Sequence, residues 1–560
     1  MRTKPVFLAA QFAILGSLGS LIACDTPYED LPAIDPNAPR VHITSPERGT
    51  FAGAVGTVEV KGTASDDSQV LSVEVNGVTA SVQADGTWAA TVPVTAGTNI
   101  LHAVAKDAQG NVGKESRAVV AGPTQRLDRI IEQSITATIS AQTFEALGRG
   151  ASKFAADSDL TSLVQPINPI VDSGTTNGQP DCLYAQARVT YVDLGPTTDI
   201  RLIPVNGGLI LDANLDNVRV DGHAQWAVSC LDGSRNVSMT AQRIHIGGML
   251  TAGQDFFGNI VFTFANPDIQ MTGFNVDMGG VPQTIIDMLD LDTRLGPVIA
   301  WATEKFVVPM LNESLEGLNQ TKTLDVFGHQ VDVTVMPTRI DFDLSGAAVV
   351  LDTELRAQGD SGEFVYVDNT LPAMDKSHGF QLAIADDAAN QLLTSLWSAK
   401  AYDISFDLST GPYGEIGKLY ESVELTTKVP AWLDASSGKL ELVIGDLMAT
   451  FKNGGAVVTQ VAVNARVELS VVADPETGAL RLDVGKPDAY VDILDDQIDG
   501  ANSLSNAQFE AITSFALSRV VAVGSGAVGA IPLPSAGGVS VRNVSVTQQA
   551  GYLVVDGEVQ

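Results

Sequence analysis

The stretch ITATISAQTFEALGRGASKFA (Ile135–Ala155) has a second version 245 residues further on, FQLAIADDAANQLLTSLWSAK (Phe380–Lys400), with Ile139 over Ile384 and Leu147 over Leu392. Both start with the two-residue alternation of a strand, reach a residue able to cap a helix (Ser140; Asp386 or Asp387), and continue with helical spacing. Phe144, Leu147, Ala151 and Phe154 fall on one face of the first predicted helix, and Ala389, Leu392, Leu396 and Trp397 on one face of the second. A repeat of this kind implies two structural units burying equivalent faces.

Long alternating runs surround both copies. Val461, Val463, Ala465, Val467 and Leu469 interleave with Asn464, Arg466 and Glu468, and Val237, Met239, Ala241 and then Ile260, Phe262, Phe264 keep the same period. These are antiparallel strands with one dry and one wet face. After Leu209, Leu211, Ala213 and Leu215 the apolar phase flips to Val218 and Val220, which predicts a bulge near Asp216-Asn217. Each half also ends in a helical pattern. The first runs from Gln283 to Leu318 with Ile285, Ile286, Leu289, Ile299, Ala302, Phe306 and Met310 on its apolar side; the second runs from Asn506 to Val523 with Phe509, Ile512, Phe515, Ala516 and Val520. Strand, helix, sheet and helix, twice over, predict an α+β fold of two barrel-like halves of long, bent antiparallel strands.

Ahead of the repeat, residues 39–122 read as short strands: Val58-Glu59-Val60, Val73-Glu74-Val75, Trp88 to Val94, and Ile100 to Ala105. Asn76-Gly77 and Asp85-Gly86 supply the positive φ that tight hairpins need. The segments VEVNG, ADGTW, AGTN and AKDAQGN resemble bacterial immunoglobulin-like sandwiches, which implies an all-β spacer, here expected to act as a stalk. Asp66, Asp67 and Asp107 read as solvated loop carboxylates in preference to calcium ligands.

At the start of the chain, Arg2 and Lys4 precede an apolar run, Pro5 to Ile22, too short and too glycine-softened for a spanning helix. Leu21-Ile22-Ala23-Cys24 resembles the lipobox of bacterial lipoproteins. The resemblance implies a signal peptide over residues 1–23, lipidation of Cys24 and a Pro- and Asp-rich tether over residues 24–38. The protein is then expected on a membrane of the bacterial cell envelope, facing the periplasm or the cell surface, held by its N-terminal acyl chains. Asp25 resembles an inner-membrane retention signal, but the rule varies between bacteria and leaves the membrane open. Of the three cysteines, lipidation of Cys24 leaves Cys182 and Cys230, a pair expected to join in an oxidising compartment.

With 33 Lys and Arg against 66 Asp and Glu the formal charge is −33, and no basic run relieves it. Such a surface repels nucleic acid and anionic headgroups. Hydrophobic content of 45% and mean hydropathy of +0.14 are high for so acidic a chain, so apolar side chains need more than a minimal core to occupy.

The C-terminal segment GAIPLPSAGGVSVRNVSVTQQAGYLVVDGEV (Gly529–Val559) is similar to the end of the bactericidal/permeability-increasing and lipopolysaccharide-binding protein family, where a Pro-Leu-Pro turn leads into two strands returning to the molecular centre. GFQLAIADDAANQLLTSLWSAKAYDISFD resembles the opening of that family's second barrel and ATISAQTFEALGRGA that of its first. The resemblance, over Leu127 to Gln560, implies barrels at 123–345 and 346–560 in pseudo-twofold arrangement, a shared central sheet, and an apolar slot in each half for lipid tails. Phe144, Leu147, Phe154, Ile285, Leu289 and Phe306 would line the first slot, and Leu392, Leu396, Trp397, Phe509, Ile512 and Phe515 the second; plain core packing explains each of them equally well. Burying a sixteen-carbon chain is worth on the order of 10 kcal/mol, which only an apolar lining recovers. Two departures bear on function. Between Thr124 and Val350 there is no cationic cluster of the kind endotoxin-binding relatives carry, which favours a neutral or zwitterionic lipid or another apolar molecule. The family's disulfide reaches the closing helix, but no cysteine lies between Gln283 and Leu318, so Cys182 and Cys230 are expected to staple neighbouring strands.

Catalytic motifs find no support. GSGAVG (Gly524–Gly529) follows a helix where a dinucleotide fingerprint would follow a strand. GDSG (Gly359–Gly362) sits in a polar hairpin, and DDQIDG (Asp495–Gly500) lacks the closing glutamate of a calcium loop. His42, His102, His223, His245, His329 and His378 show no metal-ligand spacing. The expectation is an envelope protein that binds, or binds and transfers, lipid, with no enzymatic activity, cofactor or metal. The alternative is a surface adhesin or scaffold that binds through its immunoglobulin-like module.

Overall fold

The computed structural model describes residues 38–67, 69–157, 160–165, 168–176, 179–256, 260–289, 320–326, 328–377, 379–410, 416–473, 480–496, 509 and 541–559. Cys24 with its signal and tether, Phe306, Ile512, Phe515, the GSGAVG stretch and most of both closing helices lie outside these residues. What is described is mostly β, with helix confined to α1 (Ala141–Asp157), α2 (Thr161–Val164), α3 (Gln283–Leu289), α4 (Asp386–Ser398) and α5 (Ile416–Leu419). The α+β expectation is met only loosely.

The N-terminal module is a two-sheet sandwich. One sheet runs β1 (Arg40–Ser45), β3 (Gly56–Ser65), β7 (Thr87–Val94), β6 (Ser81–Val82); the other runs β2 (Thr50–Gly53), β9 (Val112–Ala121), β8 (Gly97–Asp107), β4 (Val70–Val75), β5 (Val78–Thr79). Alternation fixes the core: Trp88, Ala90, Val92 and Val94 of β7 point inward against Ile43, Val60, Val73 and Val75. Asn76 and Gly77 adopt positive φ, as their hairpin requires. Asp107 departs from expectation. It is 1% exposed, and its carboxylate accepts hydrogen bonds from the Gln109 and Asn111 backbone and the Asn111 amide, so it ties the β8–β9 turn.

Nor is the module a free stalk. Arg48 donates to Asp446 (2.5 Å) and Asp492 (3.3 Å) of the C-terminal half, whose carboxylates also accept the Ala118 and Ser116 backbone N–H groups (2.9 and 3.0 Å). Thr98 donates to the Pro430 carbonyl, and His102 stacks on Tyr490 with centroids 4.3 Å apart. Two glycines permit the approach: a Cβ on Gly97 would enter the Trp432 ring, and one on Gly445 would meet Ala118 and Thr98. The sequence of one module shows nothing of this, because every partner lies more than 300 residues away.

Beyond the sandwich, β10 (Thr124–Arg126) pairs with β22 (Glu363–Val365), and the repeat unfolds around a seven-stranded central sheet. Its order is β19 (Gln320–Val326), β20 (His329–Asp343), β21 (Gly346–Ala357), β11 (Ile131–Ser140), β23 (Phe380–Ala385), β32 (Tyr552–Val559), β31 (Val541–Gln549). The two repeat strands, β11 and β23, are antiparallel neighbours, with Ile135 opposite Ile384 and Ile139 opposite Phe380. Ala137 therefore pairs with Leu382, its own equivalent 245 residues later, and the pseudo-twofold axis passes through that pair.

The flanking half-barrels obey the same symmetry. The first orders β12 (Val171–Thr176), β13 (Gln179–Asp193), β15 (Gly208–Val228), β16 (Leu231–Gln254) and β17 (Ile260–Thr272), with β14 (Asp199–Val205) beside β15 and β18 (Asn275–Asp277) beside β16. The second orders β24 (Ile404–Asp407), β25 (Ser422–Thr427), β27 (Leu440–Asn453), β28 (Ala456–Ala473) and β29 (Leu480–Val484), with β26 (Trp432–Asp434) beside β27 and β30 (Asp488–Asp496) beside β28. Strand for strand the connectivities are the same.

The phase flip in β15 is real, but its cause differs from a bulge. Asn217 adopts φ +50°, and the inward face changes on β15 and on its partner β16 at the same step, with Asp216 opposite Arg243, Val218 opposite Ala241 and register unbroken. Cys182 of β13 and Cys230 of the β15–β16 turn form the disulfide, Cα atoms 4.0 Å apart, so neighbouring strands are stapled as expected. Ser140 caps α1 by accepting the Thr143 N–H.

Candidate functional site

The central sheet has two unlike faces. Register puts Ile135, Ala137 and Ile139 of β11 on one side with Ala347, Val349 and Leu351 of β21, Phe380, Leu382 and Ile384 of β23, and Leu553 and Val555 of β32. Thr136, Thr138 and Ser140 take the other side. Burial is the reverse of simple expectation. The three hydroxyl residues are each 1% exposed, whereas Ile135, Ala137, Ile139, Val349, Leu351, Leu382, Ile384 and Leu553 are only half-buried.

The hydroxyl side is covered by the extended segment after β22. Leu371 and Met374 pack there on Ala383, Ala385, Tyr552 and Val554, and Thr138 donates to the Asp375 carbonyl. Among the described residues, packed clusters cover the apolar side at its ends. Towards the first half-barrel, Ile139 and Ala347 pack with Phe144, Leu209, Leu250 and Phe342; towards the second, Leu382, Leu553 and Val555 pack with Ala435, Leu440, Val467 and Leu469. Between these contacts Ile135, Ala137, Val349, Leu351 and Ile384 form a strip that joins no packed cluster among the described residues.

The residues expected to line slots fall, where described, in several separate clusters. In the first half Phe144 and Leu147 of α1 pack at the junction with the central sheet, whereas Ile285 and Leu289 of α3, both 0% exposed, pack within the half-barrel on Val171, Ala185 and Ala187. The two pairs belong to different packed clusters of the described residues. Phe154 lies on α1, its side chain outside the described set. In the second half Phe509 packs with Tyr420, Val423 and Phe451, whereas Leu396 packs with Val331 and Ala401, and half-buried Leu392 borders the same cluster. Trp397 donates its indole N–H to the Thr427 carbonyl.

The largest correction concerns α4. Of its expected apolar face Leu396 is buried, but Ala389, Leu392 and Trp397 are half-buried, and most of what the helix buries is polar: Asp386, Asp387, Asn390, Gln391, Thr394 and Ser395, beside Ala388 and Leu396. Neither aspartate caps the helix. These side chains satisfy other elements' backbones. Gln391 accepts the Leu355 N–H and donates to the Leu127 and Arg129 carbonyls; Ser395 accepts the Ala357 N–H; Asn390 bonds both backbone groups of Leu433; Asp386 accepts the Ala435 N–H. Helix α4 thus ties the central sheet, the strand leaving the sandwich and the second half-barrel together.

At its first turn Asn369 donates to both Asp386 (2.9 Å) and Asp387 (3.0 Å), and Val367 N–H to Asp387. Burial, opposed by these donors, pushes both carboxyls up to about 7. GDSG is a turn braced by the same helix, with Asp360 accepting from Ser395 and Ser398. His102 is pushed down to about 4 by burial.

Comparison with known proteins adds the following. Residues 39–122 match the family model described as glucodextranase, domain B. Lipopolysaccharide binding protein, as a crystal structure, is similar at 15% identity over 76% of this chain and 99% of that one, with a TM-score of 0.39. P47 of Clostridium botulinum E1 is similar at 9% identity over 77% and 100%, TM-score 0.24, and P47 from Clostridium botulinum A2 at 11% over 77% and 98%, TM-score 0.25. At such scores these likenesses carry no functional weight. No curated protein matches the chain.

Proposed function

We propose that this protein binds amphipathic lipid, with hydrocarbon lying on the apolar strip of the central sheet between the two half-barrels. The observation that carries the reading is the partial exposure of Ile135, Ala137, Val349, Leu351 and Ile384 beside a fully buried hydroxyl face. A contiguous apolar surface in a chain of charge −33 marks a contact site, because water against it costs roughly 25 cal/mol per Å². An acidic exterior without basic clusters favours neutral or zwitterionic headgroups. The lipobox resemblance adds mooring through acylated Cys24 on an envelope membrane, close to such cargo. No helix among the described residues is long and apolar enough to cross a membrane.

Native mass spectrometry of the mature chain tests both parts. We expect a covalent acyl increment on Cys24 and, separately, bound lipid that Ile135→Asp with Val349→Asp abolishes while the fold is retained. A chain that carries no lipid and takes up no fluorescent phosphatidylcholine would overturn the reading.

A further inference from the structure

A groove of about 450 Å³ opens where the β16–β17 hairpin meets the central sheet. Two irregularities shape it. The register of β11 slips between Ile131 and Ile135, with Gln133 at φ +54°, and that of β20 slips between Pro337 and Arg339. Buried Ile260 and Val350 contribute apolar patches; Glu132, Gln133, Gln254, Thr338, Arg339 and Asp352 contribute polar groups. Strand alternation puts Val350 and Asp352 on the face opposite Val349 and Leu351, whereas Ile340, the cross-strand partner of Val349, lies on the strip's own face, so the groove adjoins the apolar strip but differs from it in its polar lining.

The polar groups are held but not used up. One Asp352 oxygen accepts the Gln133 N–H (2.8 Å) and the Thr338 hydroxyl (3.4 Å), Gln254 donates to the Thr338 carbonyl (3.0 Å), and Arg339 Nε pairs with Asp341 (2.5 Å). That leaves the second Asp352 oxygen, the terminal Arg339 nitrogens, Gln254 Oε1 and the whole side chains of Glu132 and Gln133 without hydrogen-bond partners among the described residues. Carboxylate, amide and guanidinium are planar groups that can each meet two neighbouring hydroxyls, and together they offer both donors and acceptors.

Two carboxylates against one guanidinium, itself shared with Asp341, disfavour an anion. The apolar patches suit the C–H face of a ring. The volume lies within the usual range for small-ligand pockets. We propose that the polar lining of this groove is a binding site for a neutral saccharide, beside the strip assigned to lipid.

The test titrates the mature protein with maltose, lactose and N,N′-diacetylchitobiose, read by calorimetry and ligand-observed NMR. At least one should bind saturably with a dissociation constant of about a millimolar, the range for a small, partly solvated ligand. Glu132→Ala and Gln254→Ala, both at exposed positions, should each weaken it about tenfold, the loss expected for one or two hydrogen bonds, and leave phosphatidylcholine uptake unchanged. Absence of saturable binding by all three sugars, equal binding by the variants, or tighter binding of choline chloride or inorganic phosphate to this groove would overturn the proposal.

Discussion

Asn369 is the shared donor of two carboxylates that burial drives towards the neutral form. Asp386 and Asp387 ionise near 7 in the folded protein against 3.8 for a free side chain, so the folded state holds more protons between those values. Their contribution to stability is therefore fully present below 3.8 and is lost as pH rises through 7. Asn369→Ala removes a hydrogen bond that favours the charged forms, so its cost should grow with pH. We expect a loss of about 2 kcal/mol at pH 8 and less than half of that at pH 5, measured by urea unfolding. Equal losses at the two pH values would show that this pair does not set the pH dependence. The sequence displayed the adjacent aspartates at a helix start and suggested a cap. Their burial comes from Val367, Asn369 and Ala435, which no local pattern associates with them.

At the scale of elements, α4 shows how an amphipathic helix can bury its wet side. Gln391, 0% exposed, satisfies one backbone N–H and two carbonyls. Gln391→Leu keeps the volume but orphans all three groups, and should cost about 3 kcal/mol or more. Leu392→Ala, one residue on and half-buried, should cost only about 1–2 kcal/mol. Chemical denaturation of the two variants gives the order directly, and a reversed order would refute the keystone role. Much of the element level was legible: the Ser140 cap, the hairpin at Asn76-Gly77, the strand runs and the phase flip near Asn217 depend on neighbours in the chain. The polar face of α4 was not, because most of its backbone partners lie 36 to 264 residues away in the chain.

For the whole molecule, the consequential contact is the sandwich against the second half-barrel. Arg48 neutralises two carboxylates there, Asp446 at 0% and Asp492 at 6% exposure, the latter pushed up to about 7 by burial despite Arg48. Arg48→Met leaves both buried without their cation, a loss of about 3–5 kcal/mol. We expect the variant to release the sandwich, seen as a separate early unfolding transition and a larger radius of gyration by small-angle scattering. A single transition and unchanged radius would mean that the remaining hydrogen bonds and apolar contacts hold the modules without Arg48. A docked sandwich also changes what the module can do: its β8–β9 side is occupied by the chain's own second half and not offered to a partner.

By itself the sequence determined the duplication, the strand frame, the sandwich and the stapling of Cys182 to Cys230, because periodicity, turn chemistry and cysteine number act locally or by counting. It also showed that ITATIS has two unlike faces. Only the tertiary structure decided how each face is covered: the segment after β22 brings apolar side chains and a backbone carbonyl to the hydroxyl side, while among the described residues the half-barrels reach the isoleucine side at its ends. Alternation records a difference between two sides of a strand, but burial depends on what packs against each, and that is settled by residues distant in the chain.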